Sequence, residues 1–241
     1  MFEGYVGIRL WDGQEVNDVI FALLFALFIC FAIVFRAYPR LFLKMLNDLI
    51  HIKERQSVFI KGGENEWLFR NFMTVQALSL CGICLFAIMR AKGYLEPLQS
   101  SASLLVLALG IALLFLYYWA RRIFFFFLGL VFTDSDRYRL WRTGYNATIG
   151  AWGMLLYLPA LWLLFVESKP YIPVNLFIFL YVSSRFVIIN RVIRIFYRKN
   201  SSFLYLSLYL CGQEILPLFF IYKVGVYLYN YLGQALYGIE Y

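Results

Sequence analysis

Apolar runs of about 20 residues recur along this sequence, with short polar stretches between them. The first extends from Asn17 to Arg36, and a helix of that length crosses about 30 Å of hydrocarbon. Overall, 63% of the residues are apolar and the mean hydropathy is +0.71, whereas soluble domains contain roughly 45–50% apolar residues. We therefore expect an all-α integral membrane protein.

The apolar runs predict a polytopic helical bundle with about six transmembrane helices, forming one integral-membrane domain over residues 1–241. The predicted spans are 17–36, 71–89, 103–120, 147–166, 174–193 and 203–222. Pro159 predicts a kink in the fourth span, because proline has no N–H for the helix ladder. The polar stretches between the spans are too short to form a separate catalytic domain.

The stretch after the first span has the pattern of an amphipathic helix. Its apolar residues recur at helical spacing and are Leu41, Phe42, Met45, Leu46, Leu49 and Ile50. The opposite face carries Arg40, Lys44, Asn47, Asp48 and His51. We expect an interfacial helix over about 39–53, opened by Pro39, in which Arg40 and Lys44 contact lipid or a partner protein.

The third apolar run is longer than one span requires. It begins near Ser103 and reaches Phe132, a length of about 45 Å if it is wholly helical, yet Arg121 and Arg122 interrupt it. We predict that the span ends before these arginines and that a helical extension follows them, at or just beyond the interface. A polar loop over 133–145 comes next. Both arginines are further candidates for lipid or partner contact.

The basic residues are distributed unevenly among the connecting segments. Of the 22 Lys and Arg residues, 17 fall within the segments 36–71, 121–145 and 185–199. The positive-inside rule places these three segments in the cytoplasm and both termini in the periplasm. Because this distribution already explains the net charge of +8, we expect no nucleic-acid partner.

Residues that would carry catalysis or bind a metal are few and scattered. Cys81 and Cys84 form a C-x-x-C pair, but they lie in mid-span without a second pair. The single histidine, His51, is predicted at the membrane surface, and the glycines form no phosphate-binding loop. We therefore expect no catalytic residues, no metal, no cofactor and no enzymatic activity.

The sixth predicted span, 203–222, contains a polar interruption. Glu214 lies near its middle, where an ionised carboxylate costs at least a few kcal/mol. Pro217 cannot donate a hydrogen bond to the carbonyl of Gln213, and Gly212 allows close backbone approach, so a helix break adjoins the carboxylate. These residues form a candidate intramembrane polar site.

The Glu214 carboxylate requires a compensating partner at this depth. Arg185 in the fifth span is our candidate, because its long side chain can reach inward from about 9 Å below the end of that span. Alternatively, Glu214 is protonated, or is hydrogen-bonded to Gln213, Asn190 or a tyrosine hydroxyl, and simply ties the bundle together. The sequence leaves both interpretations open.

The order of these features resembles a family of multi-pass inner-membrane proteins from Bacteroidota, catalogued as domain of unknown function 4271. The features that carry the resemblance are Asn17–Phe21, Tyr38-Pro39, Arg121–Phe132, Leu158-Pro159 and the run from Leu208 to Pro217. The last of these is the most specific, and together they cover most of the chain. The resemblance implies the inner membrane of a Gram-negative cell, without an established activity.

Two functional hypotheses remain. The first is a non-catalytic subunit or scaffold of an inner-membrane assembly in the cell envelope, serving envelope biogenesis or protein export, with membrane lipids and other integral-membrane subunits as partners. The alternative is a small transporter or proton-coupled channel that uses Glu214 as its titrating group. The alternative is weaker, because no second polar, proline-broken span matches the sixth in an internal repeat.

Overall fold

The computed structural model describes residues 14–50, 64–93, 100–132, 135–165, 171–196 and 223. These residues are almost wholly helical and contain no strand. The helices are α1 (Gln14–Ala37), α2 (Pro39–Ile50), α3 (Glu64–Ala91), α4 (Ser100–Phe132), α5 (Ser135–Leu155), α6 (Tyr157–Phe165) and α7 (Tyr171–Phe196). The all-α prediction is confirmed.

Five segments among these helices are long and apolar enough to cross a membrane. They are Val16–Ala37, Glu66–Ala91, Ala102–Phe124, Trp141–Phe165 and Tyr171–Arg194, with α5 and α6 together forming the fourth. These segments overlap the first five predicted spans and confirm the class of helical membrane protein, although the third runs past Arg121 and Arg122 to Phe124, beyond its predicted end at 120. The sixth predicted span, 203–222, lies outside the described residues.

Helix α3 is the centre of the described bundle. In its apolar segment 61% of the residues are buried inside the structure, compared with 11% in α1 and in α4. Small residues allow α5 to pack closely against it: a Cβ atom added to Gly153 would lie 2.5 Å from the Cβ of Ala77. Close backbone approach of this kind is a main source of helix association in membranes.

The fourth span is broken where α5 meets α6. Leu156 forms a turn between the two helices, and Pro159, in the first turn of α6, has no N–H to donate to the carbonyl of Leu155. The thiol of Cys84 approaches the Leu156 carbonyl, with 3.9 Å between sulfur and oxygen. The break lies three residues before the proline, at the position where a proline disturbs the ladder, as the sequence predicts.

Helix α2 packs its apolar face on the bundle. Met45 is 2% exposed and lies in a cluster with Phe69 and Met73 of α3 and Ala147 of α5. The predicted amphipathic helix is therefore present over Pro39–Ile50, while positions 51–53 lie outside the described residues.

The prediction of a polar loop over 133–145 was wrong, because α5 begins at Ser135. The polar composition of this stretch hid a helix start: Asp134 and Ser135 are residue types typical of helix N-caps. Farther along, Trp141 is 6% exposed, so this first part of α5 already packs on its neighbours. The extension beyond Arg122 is helical, as predicted, since α4 continues without interruption to Phe132.

Contacts between the helices place the basic segments at one end of the bundle. Glu66 at the start of α3 contacts Lys44 of α2, and Arg121 of α4 lies over the ring of Tyr145 near the start of α5. At the opposite end, Arg90 donates a hydrogen bond to Asn17 at the start of α1. We call the end that contains Glu66 and Arg121 the basic end. It is formed by α2, by the starts of α3 and α5, and by the adjacent parts of α4 and α7.

Candidate functional site

An ion-pair network joins three helices at the basic end. Arg70 of α3 is its centre: Nη2 lies 2.7 Å from Oε1 of Glu66 and 3.1 Å from Oδ2 of Asp48. Its Nη1 donates to the carbonyl oxygen of Thr143 in α5 at 3.1 Å. Nζ of Lys44 lies 2.8 Å from the other oxygen of Glu66. The network, Lys44, Asp48, Glu66 and Arg70, therefore holds α2 to α3 and α3 to α5.

The spacing of the network residues follows from helix geometry. Lys44 and Asp48 lie four residues apart on α2, and Glu66 and Arg70 lie four apart on α3, so each pair shares one helix face. The Arg70 and Glu66 side chains are only 14% and 16% exposed, so their attraction is less screened than that of a surface pair. Each carboxylate is matched by a cation from a neighbouring helix or turn.

Arg191 of α7 lies in a niche made by a glycine. It is 8% exposed, and a Cβ atom added to Gly144 would be 2.1 Å from its Nη1 and 3.0 Å from its Cζ. Asp48 is close enough to interact electrostatically with this guanidinium. Gly144 therefore makes room for a nearly buried cation beside the network.

Further arginines lie around two cavities among α4, α5 and α7. The larger, of about 50 Å³, is lined by Leu78, Tyr117, Tyr118, Arg121, Tyr145, Thr148, Ile149, Trp152, Ser184, Arg185 and Ile188. The smaller, of about 20 Å³, is lined by Tyr118, Arg121, Arg122, Trp141, Arg142, Tyr145 and Asn146. We call the smaller one the arginine cleft. Three residues, Tyr118, Arg121 and Tyr145, line both spaces.

Aromatic rings support the guanidinium groups in these cavities. Cζ of Arg121 lies 5.4 Å from the ring centroid of Tyr145, and Cζ of Arg185 lies 4.8 Å from that of Tyr181. The rings of Trp141 and Tyr145 are stacked, with 5.2 Å between their centroids. Cations at such distances gain energy from the ring quadrupole, and the gain is larger where water is excluded.

A separate polar group lies in the apolar interior. Gln76 of α3 is 1% exposed and donates from Nε2 to the hydroxyl of Tyr157 at 3.1 Å. Within the described part of the chain, its Oε1 and the Nε1 of Trp152 are buried and lack a hydrogen-bond partner. Buried polar atoms of this kind are costly in an apolar environment and mark a site of interest.

The residues predicted for the intramembrane polar site are only partly described. Glu214, Gln213, Gly212 and Pro217 all lie outside the described residues, so their hypothesis is untested. Arg185 lines the larger cavity, as given above. Asn190, the other candidate partner on α7, is exposed.

The four cations predicted to contact lipid or a partner are in three different surroundings. Arg40 is exposed on α2, whereas Lys44 is engaged by Glu66 in the ion-pair network. Arg121 is 6% exposed, and together with Arg122 it lines the arginine cleft. The structure thus brings two of the four together and separates the others from them.

Sequence reasoning missed the network and the third arginine of the cleft. The predicted second span begins at 71, which leaves Glu66 and Arg70 in the connecting segment 36–71, whereas α3 starts at Glu64 and includes both. Their four-residue spacing, repeated by Lys44 and Asp48, was the available signal. Arg142 was assigned to the incorrect loop at 133–145.

The cysteine pair lies in the apolar core. Cys81 and Cys84 are 8% and 0% exposed, within a cluster that includes Leu80 and Ile83. Over the described ranges, no three His, Cys, Asp or Glu side chains lie close enough together to hold a metal ion.

Among the described residues, five membrane-length helical segments, of which that of α3 is the most buried, define a polytopic membrane protein of the all-α class. The chain belongs to the family described as domain of unknown function (DUF4271), whose sequence profile matches residues 20–224. Searches of the curated proteins and of the solved structures give no significant match.

Proposed function

We propose that this protein is a non-catalytic integral subunit or scaffold of an assembly in the inner membrane of a bacterial cell, with a role in envelope biogenesis or protein export. The observation that supports the proposal is that the outer helices α1 and α4 expose large apolar side chains. Phe21, Phe25 and Phe28 of α1 are 49%, 54% and 53% exposed, and Leu113 and Leu116 of α4 are 57% and 66% exposed.

These faces are chemically suited to neighbouring transmembrane helices as well as to lipid. The α1 face is rich in phenylalanine, with the rings of Phe21 and Phe25 stacked at 6.0 Å. Aromatic residues are enriched in protein interfaces, where they give large contact area at low conformational cost. The paired charges of the network, in contrast, serve the internal joining of α2, α3 and α5 in this proposal.

A site-specific photocrosslinker tests the proposal. We expect a crosslinking amino acid at Leu113 or Phe25, both exposed, to capture a discrete partner of constant mass in cells, recoverable in mild detergent. The matched control is Leu80, which is 0% exposed and can react only within the chain. A monomer without adducts at every exposed position of α1 and α4 would contradict the proposal.

The proposal includes an orientation, with both termini periplasmic and the basic end facing the cytoplasm. The support is the positive-inside count together with the placement of the basic segments at one end. A phosphatase reporter fused after Tyr241 should be active, and one near Gly63 should be silent. The reverse pattern would show that the charge count gives the wrong orientation.

The second candidate function is a small transporter or proton-coupled channel that uses Glu214. One observation favours it: among the described residues, Oε1 of Gln76 and Nε1 of Trp152 have no hydrogen-bond partner, and they are polar atoms inside the apolar bundle. Proton flux into liposomes that is lost in Glu214→Gln would support this candidate. Equal proton leak through the unmodified protein and the Glu214→Gln variant would contradict this candidate function.

A further inference from the structure

The arginine cleft lies where two helices reach the same membrane boundary. Arg121 and Arg122 are close to the end of the apolar segment Ala102–Phe124 of α4. Arg142 is the second residue of the apolar segment that begins at Trp141 in α5. Two independent segments therefore place cations at one level, which is the level of the lipid phosphates beside a span.

The groups that line the cleft are those that bind phosphate. Three guanidinium groups, Arg121, Arg122 and Arg142, line the cleft, and the paired N–H donors of Arg122 and Arg142 match the oxygens of a phosphate. The amide of Asn146 adds a further hydrogen-bonding group. None of the described lining residues carries a carboxylate, which contrasts with the ion-pair network only one helix away.

The size of the available space fits a headgroup that enters from the side. A water-sized group needs about 10–15 Å³ by the same measure, so the cleft of about 20 Å³ admits one or two oxygens. The cleft therefore has room for the leading oxygen of a phosphate, and the rest of the headgroup stays outside it.

We propose that the arginine cleft binds the phosphate group of an acidic phospholipid, held by Arg122 and Arg142. The stacked Trp141 and Tyr145 stabilise the arrangement at the interface, where such rings are commonly found. The cleft thus selects the lipid by its headgroup, whereas the outer faces of α1 and α4 contact acyl chains without selection. This site is independent of the proposed scaffold function and stands or falls separately.

The full chain in detergent, titrated by calorimetry, tests the site with three probes: a short-chain phosphatidic acid, the matching diacylglycerol without phosphate, and inorganic phosphate alone. We expect the phosphatidic acid to bind and the diacylglycerol not to bind. Inorganic phosphate should bind at least about tenfold more weakly than the lipid, because it gains nothing from acyl-chain contact. Equal affinity for free phosphate and the lipid would overturn the assignment to a lipid, and binding of the diacylglycerol would overturn the phosphate site.

Two matched double variants separate the cleft from general electrostatic attraction. Arg122→Gln with Arg142→Gln removes two cleft cations, and Arg36→Gln with Arg194→Gln removes two exposed cations from the ends of α1 and α7. We expect the cleft pair to weaken phosphatidic acid binding by more than about tenfold and the control pair by less than about threefold. Equal losses in the two variants, or no binding to the unmodified protein, would overturn the proposal.

Chemical protection of the unmodified protein gives the same test if the cleft variants fail to fold. Phenylglyoxal modifies arginine, and the modified positions are read by mass spectrometry. Phosphatidic acid should protect Arg122 and Arg142 while leaving Arg36 and Arg194 reactive. Uniform protection, or none, would contradict the site.

Discussion

Two groups of arginines at the basic end differ in what surrounds them. In the ion-pair network, Arg70 lies within 3.1 Å of two carboxylates from its own chain, those of Glu66 and Asp48. In the arginine cleft, Arg122 and Arg142 share their space with aromatic rings and an amide instead. We propose that this difference reflects two roles for basic residues at a membrane boundary. One role is to join helices through paired charge, and the other is to present charge to a ligand.

The largest change in stability is expected for variants that involve Arg185, which lines the larger cavity. If Glu214 is its partner, as the sequence suggests, then Glu214→Ala leaves an uncompensated buried cation and costs about 3–5 kcal/mol of unfolding free energy. Combining it with Arg185→Leu should recover part of that cost, measured by denaturant unfolding in detergent. If the unfolding free-energy costs of the two substitutions are additive, Glu214 and Arg185 do not form a pair. Arg185 would then belong with the arginines of the cleft.

Arg70→Leu should be nearly as damaging, because it strips the shared cation from Glu66 and Asp48 and removes the donor to Thr143. We expect a loss of about 3 kcal/mol, at the lower end of the range for a buried pair because the side chains keep some exposure. Arg40→Leu on the exposed face of α2 is the control and should change stability by less than about 0.5 kcal/mol. Equal effects of the two changes would mean that the network contributes nothing to stability.

Gly144→Ala should have an intermediate effect. The added methyl group would overlap the guanidinium of Arg191, which can shift only by leaving its niche beside the network, so we expect a cost of about 1–2 kcal/mol. Gly110→Ala in α4 is the matched control, because no atom of the described residues lies within 4 Å of its added Cβ. That change should be neutral or stabilising by up to about 1 kcal/mol. Thermal unfolding that ranks the two variants in the opposite order would contradict the niche.

The smallest change in stability should come from substitutions in the arginine cleft, measured without ligand. Arg122→Gln and Arg142→Gln are changes of partly buried side chains that relieve repulsion between like charges, so each should alter stability by about 0.5 kcal/mol or less. The measurement is denaturant unfolding in a detergent free of anionic lipid. A loss as large as that of Arg70→Leu would place these arginines in a structural role and would remove the contrast between the two groups.

The sequence predicts the helices better than their contacts. Hydropathy locates the first five spans because burial in lipid depends on composition, which any window of the sequence displays. It fails at 133–145, where a polar helix start resembles a loop, and at Glu66 and Arg70, which belong to the first turns of α3. Charged residues at the ends of spans satisfy helix and loop patterns equally well, so tertiary contacts decide between them.

The candidate sites divide in the same way. The sequence identifies Arg121 and Arg122 because they interrupt an apolar run, but only packing of α4 on α5 brings Arg142 beside them. Lys44 was predicted to contact lipid or a partner. In the structure it forms an ion pair with Glu66 of α3, which lies 22 residues farther along the chain. Ion pairing between helices therefore determines which cations remain available to a ligand. The spacing of residues within one helix does not predict such pairing.

Ligand-dependent stability tests most directly the contrast between network and cleft. A ligand that binds only the folded protein stabilises it by about 2.7 kcal/mol at 100 times its dissociation constant. Phosphatidic acid at that level should stabilise the unmodified protein by this amount, but should add about 1.4 kcal/mol or less to Arg122→Gln with Arg142→Gln, whose affinity is at least tenfold lower. Arg70→Leu should unfold more easily yet keep the full increment. An equal increment in the cleft variant, or an increment lost in Arg70→Leu alone, would contradict the assignment of the two groups to different roles.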